Sequence, residues 1–82
     1  MGVVFRFGGF RIVIWPNDHR PAHVHVMASG AEAVFKLNCV AGPPKLRESF
    51  GFKLHEVNEI RKLIAENLEF LCMRWSEAHG AY

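Results

Sequence analysis

Apolar and polar residues alternate with a period of two over roughly the first 37 residues of the chain, a pattern typical of half-buried β-strands. Gly8-Gly9 separates the first two alternating runs, and a glycine pair at that place predicts a two-residue hairpin turn. A turn of that length also sets the register of the two strands. It places Arg6 opposite Arg11 on one face, and on the other face it pairs Phe7 with Phe10, Phe5 with Ile12, and Val3 with Ile14.

Two further strands are predicted in the segments AHVHVMA and AEAVFKLN, with a turn at Ser29-Gly30 between them. A two-residue turn there places His25 opposite Val34 and His23 opposite Lys36. After a Gly-Pro-Pro break, a short edge strand is predicted around residues 46 to 50. The result is an antiparallel meander of four or five strands, whose apolar face carries Phe5, Phe7, Phe10, Ile12, Ile14, Val24, Val26, Ala33, Phe35 and Leu37.

The last third of the chain changes to the helical period of about 3.6 residues. One long helix is predicted from about Leu54 to His79, with Gly80 as its C-terminal cap. Its apolar stripe consists of Val57, Ile60, Ile64, Leu68, Leu71, Cys72 and Trp75. The sequence therefore predicts a single α+β domain over residues 1–82, in which the helix (about 54–79) packs on one face of the sheet region (about 3–50).

The composition of the chain makes some classes of function less favoured than others. The net charge of +2 is mildly basic and falls short of the strongly basic surface expected of a dedicated nucleic-acid binder. The chain has no apolar run long enough to span a membrane, and its first residues carry no secretory or lipidation signal, so we expect a cytoplasmic protein with no membrane partner. Cys39 and Cys72 form no C-x-x-C pair and are interpreted as reduced thiols.

The segment NDHRPAHVHV concentrates three of the five histidines on the face opposite the predicted helix. Polar side chains are expected on any open sheet face, which is the simplest interpretation. The chemical interpretation is a site for RNA or another phosphate-bearing ligand, with an activity like that of a small ribonuclease as one expectation. In that site His23 and His25 act as general acid or base, and the ligand contacts are Arg6, Arg11, Trp15, His19 and Lys36.

Divalent metal binding is the alternative chemistry for the same segment. His23 and His25 are two residues apart and therefore point to the same side of a strand, while His19 or Asp18 from the preceding loop could supply a third ligand. Zinc or a similar ion would then be the cofactor, whereas the first interpretation needs none. Neighbouring arginines oppose a cation, so both interpretations stay open.

The same segment resembles the signature of a family of small prokaryotic proteins called domain of unknown function 4160. That pattern runs N-D-H-x-P-P-H-hydrophobic-H, between short aromatic-rich strands and a helix bearing a Trp. The three histidines and Pro21 match it, whereas Ala22 and Val24 depart from it. The resemblance covers nearly the whole chain. It implies a prokaryotic cytoplasmic protein encoded beside a second small protein, in pairs that look like toxin-antitoxin modules, and it assigns no activity.

Three apolar residues of the predicted helix lie away from the core stripe. Leu63 and Phe70 fall together about 100 to 120° from it on a helical wheel, and Met73 lies farther round among acidic residues. One interpretation is a wide core stripe that reaches beneath residues 38–52. The other is a surface patch through which the protein forms a homodimer or binds a second small protein, as a purely protein-interaction module would.

Overall fold

The computed structural model describes residues 2–82 as one antiparallel sheet and two helices. The strands follow one another across the sheet in chain order, β1 to β5, as a meander. Their bounds are β1 Val3–Phe7, β2 Phe10–Val13, β3 His23–Ala28, β4 Ala31–Lys36 and β5 Lys45–Phe50. Helices α1 (Leu54–Glu66) and α2 (Leu68–His79) follow. The predicted α+β class and antiparallel meander are confirmed, with five strands.

Strand pairing follows the predicted turns except at one place. Phe5 pairs with Ile12 and Arg6 with Arg11, and the β3–β4 turn sets His25 opposite Val34, all as predicted. The pairing of Val3 is different. An irregularity between Val3 and Phe5 shifts the register, so that Val3 lies opposite Val13 instead of Ile14.

The prediction of one long C-terminal helix is wrong, because the helix is divided at Asn67. Asn67 has φ −116° and ψ 21°, outside the helical region. Its side-chain amide donates to the Leu63 carbonyl (2.9 Å), and its backbone N–H also contacts the Leu63 and Ile64 carbonyls. Asparagine offers the backbone such local alternatives to helical hydrogen bonds, which explains the break inside an otherwise continuous apolar stripe.

The two helices cover the predicted apolar face of the sheet. Seven of the predicted strand residues are buried there: Ile12, Ile14, Val24, Val26, Ala33, Phe35 and Leu37. The buried helix residues are Val57, Ile60 and Ile64 from α1 and Leu71, Cys72 and Trp75 from α2. Phe7 remains 54% exposed at the end of the first hairpin. No helix within residues 2–82 is long and apolar enough to cross a membrane.

The interpretation of the cysteines as reduced thiols is also wrong, since Cys39 and Cys72 form a disulfide. The bond joins the loop after β4 to the buried face of α2, across 33 positions of sequence. Neither the spacing of the two cysteines nor a local motif indicates this pairing. It depends on α2 crossing the sheet beside the β4–β5 connection.

Candidate functional site

The loop between β2 and β3 folds back over the sheet face that the helices leave open. It is held by a local turn, in which the backbone N–H of Trp15 donates to Oδ2 of Asp18 (2.8 Å) and the backbone N–H of Asp18 donates to the Trp15 carbonyl (3.1 Å). This arrangement turns the second carboxylate oxygen of Asp18 toward β3.

Asp18, His23 and His25 meet at the start of β3, and we call these three residues the Asp-His cluster. Oδ1 of Asp18 lies 3.1 Å from Nε2 of His25 and 3.5 Å from Nε2 of His23. The three side chains are largely buried, with exposed fractions of 11%, 7% and 17% for Asp18, His23 and His25. Each side chain offers one oxygen or nitrogen atom that can bind a metal ion, and these three atoms lie within 4.8 Å of one another. A largely buried carboxylate of this kind needs a compensating charge or hydrogen bonds.

A backbone carbonyl determines which nitrogen of His23 carries the proton. Nδ1 of His23 lies 2.9 Å from the carbonyl oxygen of Pro21. Because a carbonyl oxygen only accepts, Nδ1 carries the hydrogen and donates it. In the neutral ring Nε2 then holds a lone pair, and this atom lies 3.5 Å from Oδ1 of Asp18, which is also an acceptor.

His25 has the complementary feature. Its Nδ1 is buried and has no hydrogen-bond partner in the described part of the chain. The nearest acidic group is Glu32 on β4, whose Oε2 lies 3.5 Å away without hydrogen-bond alignment. The ring therefore has carboxylates on both sides, Asp18 at Nε2 and Glu32 at Nδ1.

Aromatic rings enclose the two histidines. Trp75 of α2 packs against His23 with ring centroids 5.2 Å apart, and Trp15 packs against His25 at 6.4 Å. His79 stacks on Trp75 at 4.3 Å, and its Nε2 donates to the Trp15 carbonyl (3.1 Å). The end of α2 thus supports the loop that carries Asp18, and both tryptophans of the chain lie beside the cluster.

Beside the cluster is a shallow cleft of about 300 Å³, which we call the loop cleft. The Asp-His cluster forms part of its wall, together with Asn17, His19, Arg20 and Arg47. His19, one of the two predicted loop ligands, is exposed in this wall and lies outside the cluster. Asp18, the other one, completes the cluster.

The remaining residues predicted to contact an anion are not in the loop cleft. Arg6 and Arg11 lie opposite each other on β1 and β2, and Arg11 also pairs with Met27, beyond His25 along the sheet. Lys36 lies opposite His23 on β4. Trp15 is 40% exposed beside His25.

The predicted partner residues lie on the outer side of the helices. Phe70 is 37% and Met73 48% exposed, whereas Leu63 is half-buried. Phe70 also packs against Phe5 of β1, with ring centroids 6.4 Å apart.

Two residues of the site were not predicted: Arg47 in the wall of the loop cleft, and Glu32, whose carboxylate lies beside His25 Nδ1. Arg47 lies on β5, in a segment whose sequence signal is weak, and it is brought to the cleft by the irregular β4–β5 pairing. The position of Glu32 opposite Met27 follows from the predicted β3–β4 register, so the same reasoning could have placed it near His25.

Comparison with known proteins identifies a family but no activity. A family model described as a domain of unknown function (DUF4160) matches residues 9–76. No curated protein and no solved structure matches the chain.

Proposed function

Since this chain belongs to the DUF4160 family, a domain of unknown function, we propose a function from the site alone: it is a metal-binding domain that holds zinc or a similar divalent ion at Asp18, His23 and His25. Two imidazole nitrogens and one carboxylate oxygen suit zinc and other first-row transition metals. Three protein ligands leave a coordination position open, as in zinc sites that bind water or a substrate.

The observation that carries the proposal is the short distance between His23 Nε2 and Oδ1 of Asp18 in a largely buried site. In the neutral ring both atoms are acceptors, and two acceptors 3.5 Å apart repel each other unless a positive charge lies between them. A cation placed there is bound by both of these atoms and by His25 Nε2 as well. In a tetrahedral zinc site the ligand atoms are about 3.3–3.6 Å apart, close to the separations of 3.1 and 3.5 Å from Asp18 Oδ1 to the two rings.

The groups around the cluster support the same proposal. Histidines that ligate a metal usually donate their second ring N–H to a carbonyl or carboxylate. His23 already donates Nδ1–H to Pro21, and His25 has Glu32 beside its Nδ1. The Trp15 N–H holds the other oxygen of Asp18.

A proton shared between His25 and Asp18 explains fewer contacts of the cluster than a metal ion does. A proton on His25 Nε2 satisfies that nitrogen and Asp18, but it leaves His25 Nδ1 as a buried lone pair facing a carboxylate. With a metal on Nε2, the proton of the neutral ring moves to Nδ1, so that Glu32 has an N–H beside it in place of a lone pair. One cation thus relieves both acceptor–acceptor contacts, at His23 Nε2 and at His25 Nδ1.

A cobalt titration tests this proposal. Purified apoprotein is expected to bind one Co²⁺ per chain, with visible absorption of a low-coordinate site and quenching of tryptophan fluorescence, because both tryptophans lie beside the cluster. Zinc should displace the cobalt and remove the absorption. A chain that binds no stoichiometric cobalt or zinc at neutral pH would refute the proposal.

The expectation of an RNA or phosphate ligand on the sheet face, with His23 and His25 as catalytic groups, stays a prediction. So do the cytoplasmic and prokaryotic context and the cognate small protein of a toxin-antitoxin-like pair. The geometry favours the metal interpretation, because Asp18 lies in contact with both rings.

We also propose that the outer surface of the helices binds a second copy of the chain. Support comes from the exposure of Phe70 and Met73 and from a groove on the same helices that is lined by Leu63 and Phe7. The groove also carries Glu59, Lys62 and Glu66, so a two-fold axis can set the lysine of one copy against the glutamates of the other.

Sedimentation velocity at micromolar concentration tests the dimer. We expect the wild type to sediment as a dimer and the Met73→Glu and Phe70→Glu variants as folded monomers, because each places a charge in the apolar contact. Phe70 also packs on Phe5, so Met73→Glu is the cleaner variant. A monomeric wild type would remove this proposal.

A further inference from the structure

Outside the Asp-His cluster, the wall of the loop cleft carries positive charge and no acidic residue. Arg20 and Arg47 both line it, and Asp18 is the one acidic residue of the wall. Within residues 2–82, neither guanidinium lies within ion-pair distance of a carboxylate. With the divalent cation proposed above, the two unpaired arginines would leave a surplus of positive charge around one concave space.

A distortion of the sheet places Arg47 in this wall. β4 and β5 pair Val34 with Glu48 but Phe35 with Leu46, so Arg47 is the extra residue of a bulge. Bulges change the direction of side chains and are frequent beside binding sites. Arg20 is positioned by its neighbour, since Pro21 is fixed through its contact with His23.

We propose that the loop cleft binds a small phosphate-bearing anion, one of whose oxygens takes the open coordination position of the metal while Arg47 and Arg20 contact the others. This inference rests on the proposed metal site and adds its ligand class. The metal and two guanidiniums together carry four positive charges against one on Asp18, which favours a phosphate dianion over a carboxylate. The cleft volume of about 300 Å³ leaves room for atoms attached to the phosphate.

The test uses cobalt-loaded protein and inorganic phosphate as the probe. Phosphate should change the visible spectrum of the bound cobalt, and the apoprotein should bind phosphate at least about tenfold more weakly than the loaded protein. Arg47→Gln should weaken phosphate binding at least about tenfold while leaving cobalt affinity unchanged, because Arg47 is not a ligand. Arg11→Gln is the matched control, since Arg11 lies on the same sheet but outside the cleft.

The outcomes separate this inference from the proposal beneath it. Failure to bind cobalt would remove both. Cobalt binding with an unchanged spectrum on adding phosphate would overturn the phosphate site alone. Equal losses in Arg47→Gln and Arg11→Gln would also overturn it, because they would indicate general attraction to a basic surface. Tight binding of a short single-stranded RNA by the apoprotein, unaffected by Arg47→Gln, would place the anion site on the open sheet instead.

Discussion

Zinc is expected to raise the melting temperature of the wild type by about 10 °C or more and to leave that of Asp18→Asn unchanged. A ligand that binds only the native state stabilises it by about 2.7 kcal/mol at 100 times its Kd, and each kcal/mol moves the melting temperature of a domain this small by about 4–8 °C. Asparagine keeps an oxygen for the Trp15 N–H but removes the negative charge between the two rings. Removal of a residue that only hydrogen-bonds to a metal ligand lowers metal affinity about 10- to 100-fold. Asp18 is itself a ligand in the proposed site, so Asp18→Asn should lower zinc affinity by more than that.

Two variants make this experiment specific. His55 is an exposed residue of α1, away from the cluster, so His55→Ala should keep the full response to zinc. His19→Ala should keep most of it, because His19 is in the cleft wall but outside the cluster. If Asp18→Asn responds to zinc as the wild type does, Asp18 is not a ligand. If His19→Ala loses the response instead, the third ligand is His19.

Reduction of the Cys39–Cys72 disulfide is expected to lower the free energy of unfolding by about 3.7 kcal/mol, measured by urea denaturation with and without reductant. The estimate follows from chain entropy, because the bond closes a loop across 33 positions. On a domain of 82 residues such a loss is a large share of the total stability. The melting temperature of the reduced protein should therefore be lower by more than about 10 °C.

Cys39→Ala provides the control for this comparison, since it has no disulfide and its stability should not depend on reductant. Cys39 is the better position to change, because Cys72 is buried against the core and its removal would also leave a cavity. Two reactive thiols in unreduced protein, counted in denaturant, would contradict the disulfide. Equal unfolding curves with and without reductant would contradict its stabilising role.

Local rules were sufficient for the strands and for the direction of the histidines. Two-residue turns and alternation place Phe5 opposite Ile12 and His25 opposite Val34, as the structure confirms. Alternation also puts His23 and His25 on the same side of β3 because Val24 and Val26 belong to the core. These features depend on neighbours in sequence or on a single turn, so a pattern of residues can determine them.

Some features depend on competing hydrogen bonds or on contacts between residues distant in sequence, and these features could not be predicted from local patterns. The helix breaks at Asn67 because a side-chain hydrogen bond competes with the helical backbone, although the apolar stripe continues. The disulfide joins residues that meet only once α2 has packed on the sheet. In the site, the selection of Asp18 over His19 depends on the turn at Trp15, and Arg47 reaches the cleft through a bulge.

The protonation pattern of the histidine rings tests the metal site most directly, by long-range ¹H–¹⁵N NMR of the imidazole nitrogens with and without one equivalent of zinc. Without metal we expect His23 to carry its hydrogen on Nδ1, because Pro21 accepts it. With zinc, His23 and His25 should both carry hydrogen on Nδ1 and show metal-bound Nε2 signals, with the His25 proton on the nitrogen that lies beside Glu32. Unchanged His23 and His25 signals, or changes confined to His19, His55 and His79, would contradict the account.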